Sequence, residues 1–223
     1  MNASLLWRLL LAHVVADFPL QPDALIAAKR KPVGLIIHAA FFCVSATMLT
    51  WPYIGKYYGL PLAIVGLTIF HGLVDWGKSA ITKRYDRDTM SLFIADQLLH
   101  VISLFLVAYI FRFRPMRFIS LYRPLTLGIL AIWATPIVVN LGKSELTGKI
   151  ILSDVSIGAS HDKMGMLERL GLFTAGVAQG WFFLAALIII PRVVYWFRGK
   201  EIGTTPILWT IALGLGFVAN LIG

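Results

Sequence analysis

Three pairs of ionisable residues stand four positions apart inside stretches that are otherwise apolar: His13 with Asp17, His71 with Asp75, and Asp96 with His100. Residues at that spacing share one helix face, with side chains about 5–6 Å apart, so each pair can aim an imidazole and a carboxylate at one point. His38, which also lies in an apolar stretch, brings the set to four of the chain's five histidines. Imidazoles and carboxylates without cysteine form a nitrogen and oxygen ligand set suited to zinc, manganese or iron, and this one is large enough for two ions. Two ions about 3.5–4 Å apart that share carboxylates are the usual machinery for hydrolysing phosphoesters or amides. His13, Asp17, His38, His71, Asp75, Asp96 and His100 are therefore the candidate metal ligands. One or two divalent transition metal ions, zinc foremost, are the expected cofactor.

Further residues complete such a chemistry. A metal-activated water is the expected nucleophile, with a carboxylate of the set, Asp96, or Glu168 as the general base. Lys78 follows Asp75 by three positions on the same helical flank and could neutralise a carboxylate or meet a substrate phosphate. Arg169, beside Glu168, is a second candidate for substrate binding. Each feature also has a plainer reading. The His and Asp pairs could be hydrogen-bond glue between helices, Lys78 a lysine snorkelling from a helix end, and Glu168 the compensating acid of a first helical turn.

The elements that must position these groups follow from composition. The chain has 223 residues, of which 58% are hydrophobic and 14% charged, and its mean hydropathy is +0.80. A water-soluble domain of this length could not bury apolar runs such as Leu60 to Phe70 and Leu172 to Ile190 together with the rest, so lipid has to cover them. Apolar runs bounded by Pro, Gly and charge predict seven helices: Leu5–Phe18, Val33–Thr50, Leu60–Ile81, Ser91–Phe111, Leu125–Leu141, Met166–Ile190 and Pro206–Ile222. The first rises only about 21 Å against a hydrocarbon core of about 30 Å, which suggests a half-span or a tilted helix. Met1 to Phe18 resembles a signal peptide, yet His13 and Asp17 argue that it is retained. The expected fold is all-α, a polytopic transmembrane bundle of about six to seven membrane helices, the first one short. One domain over 1–223 is expected, with the cluster in a four-helix part, 5–111, followed by C-terminal helices over 125–222.

An up-and-down path places Asp17 at the end of one helix, His38 near the start of the next, His71 and Asp75 in the last half of the third, and Asp96 and His100 in the first half of the fourth. All then lie near the same membrane face. A central Asp costs roughly 2.5–3.5 kcal/mol on insertion scales, so three would cost about 8–10 kcal/mol, which a bound cation or mutual pairing has to offset. The same polar groups would also serve a cation or proton-coupled transporter, and a structural partner subunit is a third reading.

The net charge of +9 lies in Lys and Arg between the apolar runs, which anionic headgroups attract, and no aromatic-interleaved basic groove points to nucleic acid. Membrane lipids are the expected partners, and an oligomer is left open. Lys29, Arg30 and Lys31 would share a face with Lys83, Arg84 and Arg87, but the second half of the chain does not continue this asymmetry. Trp51, Tyr53, Tyr57 and Tyr58, and Tyr195, Trp196 and Phe197, fit aromatic belts. The polar stretch from Lys143 to Lys163, with Asp154, His161 and Asp162, reads as a loop or a re-entrant element. The single cysteine, Cys43, is expected to pack.

The runs LLLAHVVADFPLQPD (Leu9 to Asp23), LIIHA around His38, FHGLVDWGK around His71 and Asp75, and ADQLLHVISL around Asp96 and His100 resemble the bacterial multi-pass membrane proteins catalogued as domain of unknown function 3307. A fainter echo, MGMLERLGLF, surrounds Glu168. The resemblance implies a bacterial inner-membrane protein. A looser similarity extends to predicted membrane-bound metal-dependent hydrolases, which also scatter His and Asp over short helices.

Overall fold

The structure is a computed structural model that describes residues 1–29, 31–85, 88–112, 121–147, 163–178, 188–190, 193–194 and 205–221, and every regular element among them is helical. In chain order these are α1 (Ala3–Asp17), α2 (Asp23–Ala28), α3 (Pro32–Ile54), α4 (Gly59–Tyr85), α5 (Met90–Ile110), α6 (Tyr122–Ile129), a π-helical turn (Leu130–Ala134), α7 (Thr135–Thr147), α8 (Lys163–Val177) and α9 (Thr205–Leu221). Four described stretches are long and apolar enough to cross a bilayer: Pro32–Ile54, Gly59–Tyr85, Met90–Ile110 and Tyr122–Leu146. The 23, 27 and 21 residues of α3, α4 and α5 rise roughly 34, 40 and 31 Å, enough for a hydrocarbon core of about 30 Å. The protein is an integral membrane protein.

The burial pattern is that of a molecule solvated by lipid. Ile36, Met48, Leu62, Ile69, Trp76, Ile102 and Phe105 are exposed on α3, α4 and α5, while the buried positions of the same helices include His38, His71, Asp75, Asp96 and His100. Polar groups turn inward because only there can they find partners.

α1 has a different solution. Leu5, Leu9, Ala12 and Ala16 pack with Phe42, Leu60, Ile64, Leu67 and Leu104 from α3, α4 and α5, whereas Leu11 and Val14 pack with Phe93 of α5 and Leu141 of α7. A helix apolar around its circumference belongs in the middle of a bundle. Its shortness therefore has a packing reason: walled by its neighbours, α1 need not match the bilayer. The Asn2 side chain caps it by accepting from the Leu5 N–H at 3.1 Å, and the Asn2 N–H ties its start to the Ala108 carbonyl of α5 at 3.0 Å.

The sequence-based boundaries need correction in three places. α2 was not expected. The helix predicted over Leu125–Leu141 runs from Tyr122 to Thr147 through the π turn, and so takes in the start of the supposed polar interruption. Glu145 explains that extension, because its Oε1 accepts from the Met90 N–H at 2.9 Å and so caps α5 from a neighbouring helix. Residues 148–162, with Asp154, His161 and Asp162, lie outside the described residues, as do Arg30, Arg87, Tyr195, Trp196 and Phe197. Finally, α8 covers the first part of the predicted Met166–Ile190 helix, and residues 179–187 lie outside the described residues.

The C-terminal half has its own core. Ala131, Leu172, Phe173, Trp209 and Ala212 form one buried cluster. α8 and α9 cross at Gly176 and Gly216, where a Cβ on Gly176 would stand 2.9 Å from the Gly216 Cα and one on Gly216 would overlap the Phe173 carbonyl. Small residues at such a crossing let two membrane helices approach backbone to backbone.

Candidate metal centre

The end of α1, the first half of α3, the last half of α4 and the first half of α5 meet at one place. His13 Nδ1 lies 3.6 Å from Asp17 Oδ1. His38 Nε2 lies 3.4 Å from Asp17 Oδ1, 3.0 Å from Asp75 Oδ2 and 3.0 Å from His71 Nε2. His71 Nε2 is 3.5 Å from Asp17 Oδ1 and 3.6 Å from Asp75 Oδ2. His100 Nε2 is 3.8 Å from Asp75 Oδ1 and 3.6 Å from Asp96 Oδ1. The His13 and His100 rings are 4.8 Å apart, and those of His71 and His100 4.3 Å. All seven residues singled out by type and spacing thus stand in one buried group.

Three overlapping triads have ligand atoms within 4.8 Å of one another: His13, His71 and His100; Asp17, His38 and His71; Asp75, Asp96 and His100. Ligands around a tetrahedral zinc with bonds of about 2.0–2.1 Å stand about 3.3 Å apart. The spacings of 3.0, 3.4 and 3.5 Å in the Asp17, His38 and His71 triad are within a few tenths of that. Asp75 turns Oδ2 to this triad and Oδ1 to His100, so one carboxylate reaches both groups. Several of the atoms that would ligate are also orphans. Both nitrogens of His13, Asp17 Oδ1, Asp96 Oδ1 and His100 Nε2 are buried without a hydrogen bond. Buried polar atoms normally find partners, and a cation would complete these. The residues fit a divalent metal.

Outer carboxylate oxygens are held by groups that sequence reasoning missed. Gln97 Nε2 donates to Asp17 Oδ2 at 3.3 Å and to Asp96 Oδ2 at 3.1 Å, leaving the two Oδ1 atoms to face the imidazoles. Such partners orient ligands and tune their basicity. A signal existed, since Gln97 precedes His100 by three positions and so shares its helix face. Lys29, read only as part of a basic loop, places Nζ 3.0 Å from Asp75 Oδ2. Lys78 Nζ lies 3.4 Å from Asp96 Oδ2 and over the Phe93 ring at 5.0 Å. Phe42 stacks on the His71 ring with centroids 4.9 Å apart.

Beyond the cluster, deeper in the bundle, the packing is apolar. Leu9, Ala12, Phe42, Ala46, Ile64, Leu67 and Leu104 are each no more than 5% exposed. On the other side of this layer, Arg8 is fully buried: Nη1 donates to the Leu49 carbonyl at 2.6 Å and to Tyr122 Oη at 2.8 Å, and Nη2 to Tyr53 Oη at 3.4 Å. The guanidinium also sits over both phenol rings, 4.8 and 4.5 Å from their centroids. Tyr53 is thus a partner of buried charge rather than a belt residue, and Tyr57 stacks on it at 6.0 Å. Trp51 and Tyr58 are exposed as belt residues would be.

The family model described as a protein of unknown function (DUF3307) matches residues 5–127. This chain belongs to the DUF3307 family. The matched span takes in α1 from Leu5 on and all of α2 to α5, and therefore all seven cluster residues with Lys29, Lys78 and Gln97, whereas the echo around Glu168 falls outside it. No curated protein and no solved structure matches this DUF3307 member.

Glu168 and Arg169 stand apart from the triads. Glu168 Oε2 accepts from Trp209 Nε1 at 3.0 Å. Arg169 Nε donates to the Ile132 carbonyl at 3.0 Å, inside the π turn, where the wider helix frees carbonyls from their usual donors. α8 packs on α9, α6 and the π turn. The geometry therefore gives Glu168 and Arg169 partners in the C-terminal half.

Proposed function

We propose that this DUF3307 protein is a membrane-embedded metal-dependent hydrolase of the bacterial inner membrane, acting on a lipid-like or membrane-delivered substrate. The observation that carries the reading is the convergence of four imidazoles and three carboxylates from four helices, with orphaned lone pairs directed at one another. Buried carboxylates left without compensation would oppose folding in lipid.

A divalent transition metal, zinc foremost, supplies Lewis acidity when bound, activating water and neutralising charge on the oxygen that receives the electron pair. Asp17, His38, His71 and Asp75 Oδ2 would hold one ion; Asp75 Oδ1, Asp96 and His100, with His13 beside them, a second. Asp96 would take the proton that an attacking water loses and return it to the leaving group as the scissile bond breaks. Gln97 holds Asp96 and Asp17 in register while this happens.

A transporter would use the same groups, yet it needs access from both sides. The buried apolar layer of Leu9, Phe42, Ile64, Leu67 and Leu104 between the cluster and Arg8 favours access from one side.

Elemental analysis of the full-length protein, purified in detergent without chelator, tests the reading. About one to two transition metal ions per chain are expected, lost in His71→Ala, together with chelator-sensitive hydrolysis of lipid esters or phosphoesters. A folded protein with under about a tenth of an ion per chain overturns it.

A further inference from the structure

The charges of the cluster are close to balanced before any metal enters. Asp17, Asp75 and Asp96 bring three negative charges, and Lys29 and Lys78 bring two positive charges directly onto Asp75 and Asp96. With neutral imidazoles one negative charge is left over. One divalent ion makes the group net positive by one, and two make it net positive by three. In a low-dielectric bundle such an excess calls for an anion.

The lysines are also the outermost part of the group. The side chains of Asp17, His13, His38, His71, Asp75, Asp96 and His100 are each at most 7% exposed, while Lys29 is 14% and Lys78 22% exposed. Lys29 Nζ sits on Asp75 Oδ2 and Lys78 Nζ on Asp96 Oδ2, one on each of the two carboxylates that meet at His100. A lysine ammonium is a mobile point charge on a flexible stem and a common phosphate ligand.

Lys29 is brought there by a backbone device. α2 begins after Pro22 and ends at Ala28, with Lys29 as its C-cap, whose N–H bonds to the Leu25 carbonyl at 2.9 Å. The start of α3 then folds back so closely that a Cβ on Gly34 would overlap the Ala28 carbonyl and the Lys29 nitrogen. Only glycine permits this approach.

We propose that Lys29 and Lys78 form the binding site for the phosphate group of a phosphomonoester substrate, releasing Asp75 and Asp96 to the metal as they take up the anion. This assignment rests on the metal-dependent hydrolase reading above and names its substrate class. A phosphate dianion has oxygens enough to meet both ammonium groups and the centre behind them at once; a carboxylate has two.

The test uses the full-length, zinc-loaded protein in phosphatidylcholine nanodiscs, with inorganic phosphate binding followed by calorimetry and zinc counted by elemental analysis. Lys29→Gln and Lys78→Gln are each expected to weaken phosphate binding by about tenfold or more with zinc content unchanged, as loss of one charge-assisted hydrogen bond implies. Lys29→Arg and Lys78→Arg, which keep a charge over Asp75 and Asp96 and so control for folding, should recover most of it. Gly34→Ala, which leaves both lysines in place, should weaken phosphate in the same direction as Lys29→Gln. Phosphatidic acid in the disc displaces inorganic phosphate if the ligand is a lipid headgroup and fails to if it is a soluble ester. Phosphate affinity within about twofold of wild type in both glutamine variants, zinc retained, overturns the assignment, as does loss of zinc in both. Absence of any transition metal from the wild-type protein overturns the hydrolase reading itself.

Discussion

His38 of α3 and Asp75 of α4 meet across a helix interface with Nε2 and Oδ2 3.0 Å apart, while the other oxygen of Asp75 faces His100 of α5 at 3.8 Å. One carboxylate thus links both halves of the cluster. Asp75→Asn keeps the volume and one acceptor but removes the charge and the second anionic oxygen. If Asp75 is shared between two ions, the variant should hold at most about half the wild-type zinc and show no hydrolysis. Elemental analysis decides this, and undiminished zinc in the variant would place the ions elsewhere.

Gln97 is expected to matter without being a ligand. Its amide holds Asp17 and Asp96 by their outer oxygens, so Gln97→Leu should leave the fold in place and free both carboxylates to rotate. Loss of such a supporting partner typically weakens metal binding by about 10–100-fold. Chelator competition with zinc measures the change. Affinity equal to wild type would mean that helix packing alone orients the carboxylates.

How much of this was legible in the sequence depends on where each residue's partners lie along the chain. His13, Asp17, His71, Asp75, Asp96 and His100 announce themselves, because ionisable residues in apolar runs can face only inward and each pair carries its partner within one helical turn. His38 lacks such a partner; it stood out as an imidazole in an apolar run, and only the alternating direction of the helices joined it to the pairs. Arg8 is equally an ion in an apolar run, but its partners Tyr53 and Tyr122 are 45 and 114 positions away, and no local period reveals them. Lys29 fails for a related reason: it reaches Asp75 from the end of a six-residue helix, too short to leave a hydrophobic period. The long helices were readable from apolar length alone, while the π turn, a matter of one residue's extra winding, left no compositional trace.

Arg8 carries a prediction that separates architecture from chemistry. With Tyr53 and Tyr122 donating their ring faces and accepting its N–H groups, it joins α1 to α3 and α6. Tyr122→Phe keeps the ring and removes one acceptor of a charged donor, an expected loss of about 1–3 kcal/mol. Arg8→Lys, which surrenders the planar fork, should cost at least as much. Both would appear as lower unfolding midpoints in detergent with zinc content per folded chain unchanged. A loss of zinc at full stability would instead tie Arg8 to the metal centre across the apolar layer.

The crossing of α8 and α9 tests whether the C-terminal half supports the cluster or stands beside it. Gly216 has no room for a side chain, since a Cβ there would overlap the Phe173 carbonyl, and the opposing Gly176 leaves no flexible side chain to yield. Gly216→Leu must therefore push α9 away from α8 and open the core around Leu172, Phe173 and Trp209. Overpacking against backbone costs typically about 1–3 kcal/mol, which differential unfolding in detergent would detect. The cluster is built from α1, α3, α4 and α5, whose packing runs through Leu9, Phe42, Ile64 and Leu104 without contribution from α8 or α9 among the described residues. Zinc bound per folded chain should accordingly stay at its wild-type value while stability falls. A parallel loss of both would show that the two cores fold as one cooperative unit, and that the metal centre depends on the far half of the bundle.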